Sequence, residues 1–169
     1  MVTMRAGIAL GSNLGNRLAN LSAARARLME LMKVEPPVFA SAVYEAEPVD
    51  CEPTAPKFLN AVMEIGYHGE PAELLRDLRA IETALGRPLR HARNASRLLD
   101  LDLLYCGDVA STTPELELPH PRMQTRRFVL EPLAEIRPEL VLPAQQKTVA
   151  DLLAELPHRS PLVRLTSEW

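Results

Sequence analysis

Residues 98–105 read Leu98-Leu99-Asp100-Leu101-Asp102-Leu103-Leu104-Tyr105. A strand sends successive side chains to opposite faces. This run therefore puts Asp100 and Asp102 side by side on one face, with Leu99, Leu101, Leu103 and Tyr105 on the other. Two adjacent carboxylates in an apolar strand repel each other and resist leaving water. A hard divalent cation relieves both costs, and Mg²⁺ commonly takes one or two carboxylates together with substrate phosphates. The alternative is a pair that faces solvent or is bridged to arginines, and Asp-x-Asp alone does not decide between them. Immediately upstream stand Arg87, Arg90, His91, Arg93 and Arg97. Arginine presents a planar, permanently charged fork that donates two hydrogen bonds to phosphate oxygens. Carboxylates and arginines in this order point to a metal–polyphosphate site.

On either side of this strand the pattern alternates between sheet and helix. Residues 58–67 alternate as a strand, with Phe58, Asn60, Val62 and Glu64 on one face and Leu59, Ala61, Met63 and Ile65 on the other. Pro71 suits the first turn of a helix running through Leu74, Leu75, Leu78, Ile81 and Leu85 to a stop at Gly86. Gly7-Ile8-Ala9-Leu10 predicts a short buried strand. It ends in Gly11-Ser12-Asn13-Leu14-Gly15-Asn16, a turn whose glycines allow tight geometry and whose Asn16 can cap a helix. That turn also links a strand to a helix N-terminus, as phosphate cradles do, but it lacks the lysine and spacing of a P-loop. Apolar residues at helical spacing then predict a helix over 18–32, ended by Pro36-Pro37. A strand is expected over 38–44 and a long acidic, proline-bearing loop over 45–57. Beyond the aspartate strand come Pro119-His120-Pro121, a helical segment over 126–136 and an amphipathic helix near 149–156. The order β-α-β-β-α-β predicts an α+β, ferredoxin-like core with additional C-terminal helices, expected as one domain over residues 1–169. That scaffold is widely reused and does not by itself give a function.

The chain has 169 residues and a formal net charge of −3, so its overall field does not draw a nucleic-acid backbone. No apolar run approaches the roughly 20 residues that span a bilayer, and the N-terminal residues lack a secretory pattern. Cys51 and Cys106 form no framework spacing and read as reduced thiols, which places the expected protein in the cytoplasm. A cation cluster in an acidic chain reads either as a site for a small polyanion or as a solvated surface.

Taken together, the motifs resemble the 6-hydroxymethyl-7,8-dihydropterin pyrophosphokinase family over about residues 7–156. The resemblance rests on Gly11-Ser12-Asn13, Phe58-Leu59-Asn60-Ala61, Gly86-Arg87 and Arg97-Leu98-Leu99-Asp100-Leu101-Asp102. It is completed by Pro119-His120-Pro121-Arg122-Met123 with Arg126-Arg127-Phe128-Val129-Leu130. The resemblance implies transfer of a diphosphate from Mg-ATP to the hydroxymethyl group of the reduced pterin in folate synthesis. It implies that Asp100 and Asp102 hold two Mg²⁺ ions. Arg87, Arg97, His120 and Arg126 would meet the ATP phosphates, with Arg93 and Arg90 arriving as a loop closes, and Glu82 and Leu103 would line the nucleotide. The pterin would stack between Phe58 and Phe128, with Asn60 on its ring edge and Pro48 and Val49 completing the pocket. A monomer that binds neither nucleic acid nor membrane is expected.

Several positions depart from the family pattern. Asn94 stands where tryptophan is often found, Ala95-Ser96 replaces Gly-Pro, and Leu89, Ala46 and Arg79 replace arginine, threonine and glutamine. Other readings are open. Phe58 and Phe128 can be core residues, and His120 can be a rigid-turn residue. An RNA-binding ferredoxin-like module is disfavoured by 4% aromatic content. An Asp-x-Asp glycosyl or nucleotidyl transferase would not need the Phe58–Asn60–Phe128 set, and the loop departures leave open a catalytically idle ligand-binding relative.

Overall fold

The computed structural model describes residues 2–86, 98–158 and 161–169. Strand β1 (Met4–Ser12) runs antiparallel between two partners, β4 (Phe58–Tyr67) and β5 (Asp100–Cys106). Strands β2 (Val34–Ala40) and β3 (Val43–Ala46) pair with successive parts of β4, and β8 (Val163–Thr166) adds to the outer side of β3. The sheet order is β5-β1-β4-β3-β8, with β2 on β4. This is the predicted ferredoxin-like sheet with its second strand broken in two.

The break falls at Ser41. Its backbone N donates to the Val62 carbonyl at 2.9 Å and its Oγ accepts from Val62 N at 2.9 Å, so β4 loses no hydrogen bond where the partner strand changes direction. Pro36 and Pro37, expected to end the first helix, instead lie inside β2. The register of β2 slips between Glu35 and Phe39, which is where residues without an N–H do the least harm to a ladder. The first helix, α1 (Arg17–Met29), stops earlier than expected, and Met32 beyond it is 96% exposed. Asn16 caps α1 as predicted, accepting from Ala19 N at 3.1 Å. Helix α2 (Pro71–Ala84) starts on Pro71 under a Glu70–Glu73 capping box and is closed by Gly86 at φ 100°.

Helices α1 and α2 cover one face of the sheet. Leu21, Ala24 and Leu28 of α1 and Leu74, Leu78 and Ile81 of α2 pack on alternate residues of β1 and β4, each buried leucine or isoleucine contributing roughly 1.5–3 kcal/mol. Two further helices, α3 (Arg127–Ile136) and α4 (Val149–Glu155), cover part of the opposite face through Val129, Leu130, Leu133 and Val149. A hairpin of β6 (Ser111–Thr113) and β7 (Leu116–Leu118) projects beyond β5.

One face assignment is corrected. Gly7 pairs with Tyr105 but Ile8 pairs with Leu103, so a bulge inserts one residue into β5. Leu99, Leu101 and Leu103 reach the α1/α2 core as predicted, whereas Leu104 and Tyr105 turn into the α3/α4 core. Asp100 and Asp102 lie before the bulge.

Candidate active site

The α3/α4 layer stops short of the open ends of β1, β4 and β5, and an open cleft occupies the uncovered sheet. Its floor is Gly11 of β1, Asn60 of β4 and the carboxylates of Asp100 and Asp102 of β5. Register explains the grouping, because Gly11 pairs with Asn60 on one side and with Asp100 on the other. Gly11 keeps this floor low: a Cβ there would sit 3.3 Å from Asn60 Oδ1. Phe58 forms one wall, and Arg126 and Phe128, at the start of α3, form the other. Neither aromatic is a fully buried core residue. Asn60 is 6% exposed, and among the described residues its Nδ2 has no hydrogen-bond partner. A buried amide donor without an acceptor is costly, and a ligand acceptor in the cleft would satisfy it.

A second cleft opens on the other side of Asp102. It is lined by Arg79 of α2, Leu103, His120, Arg122 and the β6–β7 hairpin, and it shares Asp102 and Arg122 with the first. Here Leu103 belongs to the core yet also borders the cavity. The hairpin and Arg122 were not foreseen as site elements. The cation run Arg122, Arg126 and Arg127 was the available signal for Arg122, whereas the hairpin carries only a short turn signal at Pro114.

Charge is arranged for an anionic ligand. Burial, reinforced by Arg126 and Arg122, pushes the His120 pKa down to about 4, so its ring is neutral near pH 7. His120 Nδ1 accepts from Arg122 N at 3.2 Å, which assigns the proton to Nε2 as a hydrogen-bond donor. The Arg126 guanidinium lies 5.5 Å from the Phe128 ring centroid. Burial and the nearby Arg122 lower its pKa, Asp102 and Asp100 oppose that shift, and it stays charged.

The aspartates stand i, i+2 on one strand face, about 7 Å apart along the chain. No group of three acidic, histidine or cysteine side chains forms a ready-made cage among the described residues. Two carboxylates fit Mg²⁺ if a polyphosphate completes the shell. Beneath them, Glu82 of α2 is 3% exposed, and its Oε1 accepts from Leu101 N at 2.7 Å. It lines neither cleft; it satisfies the outward N–H of an edge strand between the two aspartates. Val49 borders the first cleft, as do Glu47 and Cys51, but Pro48 between them does not. Arg87, Arg93 and Arg97, with Arg90, Leu89, Asn94, Ala95 and Ser96, lie outside the described residues. No helix among the described residues is long and apolar enough to cross a membrane.

Comparison with known proteins bears on this geometry. The 2-amino-4-hydroxy-6-hydroxymethyldihydropteridine pyrophosphokinase of Bacillus subtilis is 44% identical over 129 residues, covering 76% of this chain and 75% of that protein. The enzyme of the same name from Synechocystis is 38% identical over 149 residues, covering 88% of this chain and 74% of that protein. Among solved structures, the wild-type HPPK-DHPS of Plasmodium falciparum superimposes with a TM-score of 0.70 at 13% identity, over 90% of this chain and 44% of that one. A crystal structure of HPPK-DHPS in complex with substrates gives 0.72 at 11% identity, over 91% and 43%. The chain thus spans under half the length of these two solved structures, and at such identities the likeness speaks for the fold alone. The model of 7,8-dihydro-6-hydroxymethylpterin-pyrophosphokinase matches residues 7–138, a stretch that holds both clefts' central residues, and the chain belongs to that family.

Proposed function

We propose that the first cleft holds the pterin, the second holds ATP, and the diphosphate passes between them at Asp102. The chain is an ATP-dependent pyrophosphokinase of folate biosynthesis, and the substrates are small molecules. The observation that carries the residue assignment is the meeting of two clefts at Asp102 and Arg122.

Phe58 and Phe128 offer faces for a flat heterocycle, and Asn60 Nδ2 donates to an acceptor on its edge. Ala46, Glu47 and Val49 close the far side. The neutral His120 donates through Nε2 from the second cleft, and Arg126 donates its charged fork from the wall of the first, to phosphate oxygens where the clefts meet. Arg87, Arg93 and Arg97 are the further phosphate-binding arginines of this reading. Bound Mg²⁺, two ions in this reading, held by Asp100 and Asp102, supplies charge neutralisation on the transferring diphosphate. Glu82 keeps the aspartate strand in place by fixing Leu101 N. The substrate hydroxyl attacks the β-phosphorus in line with the departing AMP oxygen, a reaction whose barrier falls mainly through alignment and electrostatic stabilisation. We place the protein in the cytoplasm as a monomer, with residues 1–169 forming one domain.

Separate binding titrations test the assignment. Asn60→Leu should weaken pterin binding at least about tenfold, the scale of one well-made polar contact, and leave ATP binding unchanged. Arg126→Ala, which also removes part of the Phe128 wall, should weaken ATP binding by more than it weakens pterin binding. If Asn60→Leu weakens ATP and spares the pterin, the two clefts are assigned the wrong way round.

A further inference from the structure

Cys51 lines the first cleft from the 47–57 loop, half-buried, with Sγ 3.4 Å from the Val49 carbonyl and no disulfide. The same cavity holds the Phe58 face and the buried Asn60 Nδ2, which has no partner among the described residues, and together they suit a planar ring bearing an acceptor. The chain's other thiol offers a contrast. Cys106 has no exposure, packs in the α1/α2 core, and burial pushes its pKa up to about 11. We propose that Cys51 is a thiol-modification site for small heteroaromatic disulfides entering the pterin cleft, and that the adduct shuts out pterin while leaving the nucleotide cleft open. The consequence for pterin rests on the function proposed above.

The chemistry is thiol–disulfide exchange. The Cys51 sulfur, having released its proton, attacks one sulfur of R–S–S–R. A Cys51–S–S–R bond forms and the probe S–S bond breaks. The electron pair leaves on RS⁻, which takes up the proton. Cys51 is oxidised, the departing sulfur is reduced, and the disulfide itself is the oxidant. The retained ring lies where Phe58 and Asn60 would receive the pterin, whereas Arg79, Leu103 and His120 line the other cleft and stay free of it.

The test treats the full native chain with dipyridyl disulfide and follows the released thiopyridone. The inference predicts release equal to one of the chain's two cysteines, slowing when pterin is present, and a second equivalent only after denaturation. Labelled protein should bind pterin at least about tenfold more weakly, bind ATP unchanged, and recover with dithiothreitol. Cys51→Ser should release nothing while folded, and treatment should not alter its pterin affinity. Equal reactivity of both thiols, or labelling at Cys51 that leaves pterin affinity intact, overturns the inference. If untreated protein does not bind pterin at all, the functional reading fails, and labelling confined to Cys51 still stands or falls on its own stoichiometry.

Discussion

Gly7 leaves room for Tyr105. A Cβ at Gly7 would lie 2.2 Å from Tyr105 Cε1, so the tyrosine ring occupies the space a side chain would fill. The bulge beside it brings the Tyr105 hydroxyl to donate to Glu64, a fully buried carboxylate that also accepts from Arg5 Nε at 2.9 Å and from Arg137 Nη1 at 2.5 and 2.7 Å. Gly7→Ala should therefore destabilise the fold by about 2 kcal/mol through overpacking, read as a lower urea midpoint; an unchanged midpoint would contradict this packing. Alternation along residues 98–105 located Asp100 and Asp102 correctly because the period of two holds up to Leu103. It misplaced Tyr105 because a single inserted residue flips every later side chain. His120 gives a pH signature. In the unfolded chain it takes a proton near pH 6.5, but in the folded protein it does so only near pH 4. The unfolded state thus binds more protons across that window, so stability is complete above pH 6.5 and declines as pH falls towards 4. His120→Gln should flatten that decline in urea titrations, and an unaltered slope would rule the histidine out as its source.

Helix α3 connects the buried ion cluster to the cleft. Arg126 and Phe128 stand at its start, and Arg137, just past its end, reaches Glu64. In its last turn, Glu135 accepts from the Tyr44 hydroxyl at 2.6 Å, from Ala42 N and from Arg164, tying α3 to β3 and β8. Both tethers fix where the Phe128 wall stands over the sheet. Arg137→Ala should cost about 2 kcal/mol, below the usual toll for a broken buried pair because Arg137 is a third exposed and Arg5 remains. It should also raise KM for the pterin more than it lowers kcat. A stability loss with unchanged KM would limit α3's tethers to folding. Sequence periodicity located β4, α2 and the 126–136 helix because each carries a regular apolar stripe. It joined β2 to β3 because Ser41 breaks the strand without a glycine or proline at the break. It missed β8, whose Val163 and Leu165 stay about half exposed and leave little burial signal.

Across the molecule, residues 11, 60 and 100 are distant in sequence and become neighbours through the β4-β1-β5 order of an antiparallel sheet. Motif spelling indicated the chemistry of each segment, yet spacing along the chain carries no information about which cleft a residue faces. Thus Phe58, Asn60 and Phe128 share a cavity as expected, while Pro48 stands aside and Glu82 sits beneath the strand. Asp102 borders both clefts, so Asp102→Asn should lower kcat by several orders of magnitude and leave the folded protein intact by urea titration; turnover near the wild-type rate would remove it from the reaction. The reaction itself is settled by product analysis of the purified chain with 6-hydroxymethyl-7,8-dihydropterin, ATP and Mg²⁺. Transfer at the β-phosphorus predicts AMP and pterin diphosphate in equal amounts, and ADP with a pterin monophosphate would contradict it.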